Sequence, residues 1–163
     1  MLAGCSGCLG RGDWPDVPTA TITPVARPEL HDAWTKAVAN EAEAWNSALE
    51  RLGCAPPFAV GDAGHPVRLI PDSDWGDADT DGETDGYEVR IREHRGAIPP
   101  IRALIVVHEL GHAIGLDHAD PKRGQSVMIG IGLNVWAERD SAAAACEMGC
   151  GPCEEDADPY DIR

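Results

Sequence analysis

Apolar positions along the chain fall into two long helical stripes and a few short extended runs. From Pro28 to Leu52, Leu30, Trp34, Val38, Trp45, Leu49 and Leu52 recur at helical spacing. Pro28 suits the start of such a helix and Gly53 its stop. This predicts a long amphipathic helix that packs its stripe on a sheet. A second helix is predicted from Pro99–Pro100 to Ile114. Ile101, Ala103, Leu104, Ile105, Val106, Val107, Leu110, Ala113 and Ile114 leave it apolar nearly all round, which places it at the centre of the domain. Extended segments are predicted at Thr19–Thr23, at Val67–Ile70 between Pro66 and Pro71, and at Tyr87–Arg92, where Tyr87, Val89 and Ile91 share one face. Residues 72–85 read as an acidic loop and 115–133 as a second loop. A last helix is predicted from an Asn134 cap through Trp136 to Cys146. There is no internal repeat.

At 163 residues the chain is one domain by length, able to bury roughly 70% of its unfolded surface. Residues 1–27 are rich in Gly and Pro and read as a tether carrying the first strand; residues 28–163 form the folded domain. With 43% hydrophobic and 25% charged residues the chain is globular, and with one Phe, two Tyr and five Trp its core is built from Ala, Val, Ile, Leu and Trp. Asp and Glu number 28 against 13 Lys and Arg, a net charge of -15. That charge argues against nucleic acid as a partner and against docking on an anionic membrane. No apolar run is long enough to span a membrane.

The six cysteines, Cys5, Cys8, Cys54, Cys146, Cys150 and Cys153, point to an oxidising compartment. Fully paired they allow 15 connectivities. Cys150-Gly-Pro-Cys153 also has the spacing of metal and redox sites, but no second such pair follows and no strand–helix context surrounds it, so disulfides are expected. Leu2-Ala3-Gly4-Cys5 resembles a bacterial lipobox, which would make Cys5 the lipidated first residue of an exported lipoprotein and leave one cysteine odd. Only Met1 precedes it, where such a signal has a basic and an apolar segment. A misassigned start, a trimmed sequence and a chance match are the alternatives.

The candidate chemistry lies at the end of the central helix, in His108-Glu109-Leu110-Gly111-His112-Ala113-Ile114-Gly115-Leu116-Asp117-His118. His108 and His112 are four apart and share one helical face, so both imidazoles can reach one ion. Glu109 lies about 100° round the helix, beside the ion and placed to touch its water. Gly115 can take a positive φ and turn the chain so that His118 returns as a third ligand. Three protein ligands with an open fourth position mark a catalytic zinc site. Bound zinc lowers the pKa of its water towards about 7, and Glu109 would act as general base.

This stretch resembles the metzincin signature, HExxHxxGxxH, at every specified position, and Ser126-Val127-Met128 looks like the methionine turn of that family. Within it, the chain is most similar to a bacterial matrixin-type enzyme. The resemblance is specific over residues 101–130. It implies an α/β (α+β) metzincin-like zincin domain: a twisted mixed β-sheet, a long backing helix, a central active-site helix, and a small irregular C-terminal part with the methionine turn at Met128. It implies a secreted or cell-envelope zinc endopeptidase whose peptide substrate pairs with an edge strand above the cleft. Ile129–Leu133 would wall the pocket beside the scissile bond. Departures exist: Gly130 stands two positions after Met128, where some relatives have a tyrosine, no cysteine-switch motif is present, and the short segment after His118 implies a small lower cleft.

A second ion is suggested by Asp77-Ala-Asp79-Thr-Asp81-Gly82-Glu83-Thr-Asp85-Gly86-Tyr-Glu88, which follows the spacing of a calcium loop. Asp77, Asp79, Asp81, Asp85 and Glu88 would offer carboxylates and Glu83 its carbonyl, around the sharp turn at Gly82. Thr84 takes the place of the usual apolar residue, and the loop lies between strands rather than helices, so it would pin the sheet. The alternative is a solvated acidic loop. His31, His65 and His94 are expected on the surface or in loops; a second zinc site from His65, His94 and an Asp is the lesser reading. Asp117 is either an outer support of the site or exposed. The chain is expected to be a monomer binding Zn2+ and Ca2+, with membrane contact only through lipid at Cys5. The rival functions are a non-catalytic envelope metal-binding protein and a zinc amidohydrolase acting on a non-protein substrate.

Overall fold

The computed structural model describes residues 14, 16–76, 80–96, 99–120, 122, 125–129 and 138–153. A five-stranded mixed sheet runs in the order β2-β1-β3-β5-β4, where β1 is Ala20–Val25, β2 Phe58–Val60, β3 His65–Ile70, β4 Gly82–Thr84 and β5 Val89–Arg92. All neighbours are parallel except β4, which runs antiparallel to β5 at the sheet's edge. The helices are α1 (His31–Glu50), the short α2 (Glu93–Gly96), α3 (Pro99–Ile114) and α4 (Glu138–Glu147).

The helix α1 forms because Trp34, Ala37, Val38, Ala42, Trp45, Ala48 and Leu49 make one buried stripe at helical spacing. It packs on β1, β2 and α3. Two indole N–H groups fix its position: Trp34 Nε1 donates to Val67 O on β3 (2.8 Å) and Trp45 Nε1 to Val107 O on α3 (2.9 Å). The Asn46 amide bonds both backbone groups of Phe58, at 2.9 and 3.1 Å, and so holds the edge strand β2 to the helix. Gly53 closes the helix with φ +82°, and Leu52, expected on the stripe, falls past the helix end and is 49% exposed.

In α3, Val106, Val107, Leu110, Ala113 and Ile114 are buried, so the apolar helix does sit in the centre, between α1 and the β4–β5 edge. Ala20 and Ile22 of β1, Val67 and Leu69 of β3, and Val89 and Ile91 of β5 line the same core. Tyr87 departs from its expected place on the buried face of β5. The Asp85 carboxylate accepts the backbone N–H of Tyr87 and Glu88 (both 2.8 Å), which takes Tyr87 into a turn, and the strand starts only at Val89. β2 and β4 were not foreseen; β4 falls inside the predicted acidic loop.

Disulfides join Cys54 to Cys150 and Cys146 to Cys153, tying the end of α1 to the segment after α4. The described end of the N-terminal segment is packed rather than tethering. Trp14 is buried, its backbone N–H donates to Ala113 O at the end of α3 (3.1 Å), and its indole N–H to Asp85 O (3.0 Å). Cys5, Cys8, Asn134 and Trp136 lie outside the described residues. No helix among the described residues is long and apolar enough to cross a membrane.

Candidate metal centre

His108 and His112 sit one turn apart near the end of α3. Gly115 then takes φ +112°, a conformation that an L side chain resists, and the chain leaves the helix. His118 returns to the other two, as its spacing predicted. The three Nε2 atoms form a triangle with every side 3.2 Å. A tetrahedron with zinc–nitrogen bonds of ~2.0–2.1 Å has edges of about 3.3–3.4 Å, so the spacing suits three ligands of one such ion. Among the described residues this is the one group arranged to hold a metal.

The hydrogen bonds on the far side of the rings strengthen this fit. His108 Nδ1 lies 2.7 Å from Val127 O and His112 Nδ1 2.6 Å from Leu116 O. A carbonyl only accepts, so each Nδ1 carries the proton and each neutral ring turns a bare lone pair inward at Nε2. Two lone pairs facing each other at 3.2 Å repel unless a cation lies between them. Both rings stay neutral over the ordinary pH range. Burial pushes His108 down to about 3, helped by His112, and His112 down to about 4. Burial also lowers His118, against the pull of Asp117. His118 is the exposed member, so the cluster opens to solvent on that side.

Glu109 is buried, 5% exposed, on the adjoining face of α3. Burial raises its carboxyl to about 7, opposed by a hydrogen bond from Thr84 and aided by the charge of Glu83. It is a buried acid–base group poised near neutral pH beside three metal-ready nitrogens.

The turn at Met128 lies beneath α3. Met128 is fully buried, and a Cβ on Gly111 would come 2.4 Å from its Sδ and 3.1 Å from Trp45 Cζ2. Gly111 therefore lets the helix rest directly on the methionine. Asp140, at 0% exposure on α4, organises the turn: its carboxylate accepts the Ser126 hydroxyl (2.5 Å) and Val127 N–H (3.0 Å). Ser126 Oγ in turn accepts Met128 N–H (2.9 Å), and Ala119 N–H donates to Met128 O (2.8 Å). Neither Asp140 nor Thr84 belongs to the site that the sequence motif predicts. Asp140 sits in an ordinary polar helix start and left no signal. Thr84 did leave one, as the residue out of place in the calcium pattern.

The remaining candidates are not drawn into this centre. His65 is buried, not on the surface. Its ring stacks on Trp14 with centroids 4.0 Å apart and bonds Asp16 (2.8 Å) and Tyr87 O (2.7 Å). His94 pairs with Asp72 at 2.9 Å, so the two histidines are held by different aspartates. His31 is exposed at the first turn of α1. Of the acidic loop, Asp77 and Asp79 lie outside the described residues. Glu83 is paired with Arg90 (2.6 Å), Glu88 with Arg68 (2.8 Å), and Asp85 caps its own turn. The carboxylates of Glu83, Asp85 and Glu88 are thus used by arginines and backbone. Set against known proteins, the chain matches no protein-family model and no curated protein sequence.

Proposed function

We propose that the protein is an exported zinc-dependent endopeptidase of the kind its HExxHxxGxxH stretch resembles. The observation that carries this reading is the pairing of inward-facing, unprotonated imidazole nitrogens 3.2 Å apart with a buried carboxyl held near neutral pH on the same helix. A structural metal site needs no such carboxyl. His108, His112 and His118 would hold the ion, which supplies Lewis acidity to the scissile carbonyl. Glu109 takes the proton of the attacking water and returns it to the leaving amine. β4 offers an antiparallel edge beside α3, suited to an extended peptide as an added strand. The two disulfides support an oxidising compartment.

The test is a screen of zinc-loaded protein against a diverse peptide library, with Glu109→Ala as the matched control. Cleavage by the parent and not by the variant is expected. One zinc per chain with no cleavage by either would overturn the peptidase reading and favour a metal-binding envelope protein. Zinc retained in full by His118→Ala would remove the three-ligand site.

A further inference from the structure

The edge strand β4 presses on Glu109 from the side, and its two inward-facing residues treat the two carboxylate oxygens differently. Thr84 Oγ1 donates to Oε2 at 2.6 Å and also lies 3.0 Å from the carbonyl oxygen of Glu109. Gly82, two residues earlier on the same face of the strand, leaves space for the other oxygen: a Cβ there would stand 2.6 Å from Oε1 and 2.8 Å from Ile105 Cγ2. Gly82 does not have a positive φ, so the requirement is for room and not for a special backbone conformation. The strand is anchored to β5 separately. Glu83 pairs with Arg90, Thr84 lies in register with Val89, and Asp81 O accepts Arg92 N–H (2.9 Å). The strand is therefore fixed by β5, and the carboxylate is fixed by the strand.

A glutamate side chain has three torsions, and proton transfer demands one placement of its oxygens within hydrogen-bond reach of the water. We propose that Thr84 is the positioning residue for Glu109, its hydroxyl locking the carboxylate in one rotamer while Gly82 keeps the strand close enough for that bond. The proposal rests on the peptidase reading for its consequence but on the contact itself for its geometry. Thr84 touches no ligand nitrogen in this arrangement, so it acts through Glu109. Substrate added along β4 would lie on the strand that sets the general base, which couples peptide docking to the chemistry.

The test uses Thr84→Val, which keeps the β-branched shape and removes the hydroxyl, and Thr84→Ser, which keeps the hydroxyl. The substrate is a peptide that the zinc-loaded parent cleaves in the library screen. A hydrogen bond to a charged group corresponds to roughly a tenfold to hundredfold loss in rate. The expected result is that loss in kcat for Thr84→Val with KM within about twofold, and recovery by Thr84→Ser. Parent-like kcat in Thr84→Val overturns the proposal, as does a loss that Thr84→Ser fails to recover. A urea-unfolding cycle on the metal-free protein, with Thr84→Val, Glu109→Ala and the double variant, reads the contact without any activity. Additive effects overturn the contact. Coupling in that cycle together with an inactive parent supports the positioning contact while removing the peptidase reading, so the two failures are told apart.

Discussion

Asp140 is the strongest test of whether the metal centre depends on packing far from its sequence motif. It lies 22 residues beyond His118 in the chain, touches no ligand, and is fully buried. Its two oxygens accept the Ser126 hydroxyl at 2.5 Å and the Val127 N–H at 3.0 Å. Val127 O in turn accepts the proton of His108 Nδ1 at 2.7 Å. Asp140→Ala removes two charge-assisted hydrogen bonds and leaves both donors buried. At about 1.5–3 kcal/mol each, the cost is about 3–6 kcal/mol. Small domains have only about 5–15 kcal/mol in all, so this variant is expected to be barely folded.

Asp140→Asn is the more informative change. Its oxygen can accept Val127 N–H while its amide turns to Ser126, whose hydroxyl already accepts Met128 N–H. One buried donor, the Ser126 proton, then lacks its acceptor, at about 1–3 kcal/mol. The turn stays but is looser, and with it the carbonyl that orients His108. Loss of such an outer support typically weakens metal binding by about 10–100-fold. Urea unfolding with chelator present measures the first quantity, and zinc competition with a chromophoric chelator measures the second. If Asp140→Asn matches the parent within about 0.5 kcal/mol and within about twofold in zinc affinity, the relay from α4 to His108 is wrong.

Two further predictions follow from burial and close contact. Gly111→Ala gains about 1 kcal/mol of helix propensity, but its Cβ meets Met128 Sδ at 2.4 Å. The overpacking cost of about 1–3 kcal/mol should win, so urea unfolding should show a net loss; a net gain would refute the close seat of α3 on the methionine. Glu41 on α1 has its carboxyl raised above the ordinary 4.5 by burial, against the pull of Arg102. A raised carboxyl binds its proton more tightly in the folded state, so this group's contribution to stability falls as pH rises above 4.5. Glu41→Gln should therefore gain on the parent at neutral pH and lose that advantage in acid; an equal difference at both ends would refute it.

How much of this was legible beforehand depended on whether a residue's neighbours were local. α1 and α3 announced themselves because their stripes are long and periodic, and α3 begins and ends where its prolines and Gly115 said. β5 shows in the alternation of its residues and β1 as a short run in a Gly- and Pro-rich segment, each shifted by one or two residues. β4 reads as acidic loop because Gly82-Glu83-Thr84 contains no apolar residue; it is a strand only because β5 pairs with it and α3 covers it. β2 is three residues long and held by Asn46, a polar residue on a helix 12 positions away. His65 looked solitary, yet it is enclosed by Trp14 and Tyr87 from two other segments. No periodicity reports contacts of that kind.

The same division runs through the metal centre. His112 is oriented by Leu116 O, four residues on, so its placement is contained within the motif and the Gly115 break. His108 is oriented by Val127 O, which depends on Asp140 of α4. Glu109 is held by Thr84 of β4, from the opposite side of the helix's sequence neighbourhood. A chain keeping all the residues of HExxHxxGxxH but carrying Thr84→Val or Asp140→Asn would look unchanged to any reading of the motif. It would still bring three histidines together, because the helix and the glycine do that locally. It would lack the fixed orientation of the His108 ring and of the Glu109 carboxyl. The peptidase activity proposed above should therefore follow residues 84 and 140 as closely as it follows the histidines themselves.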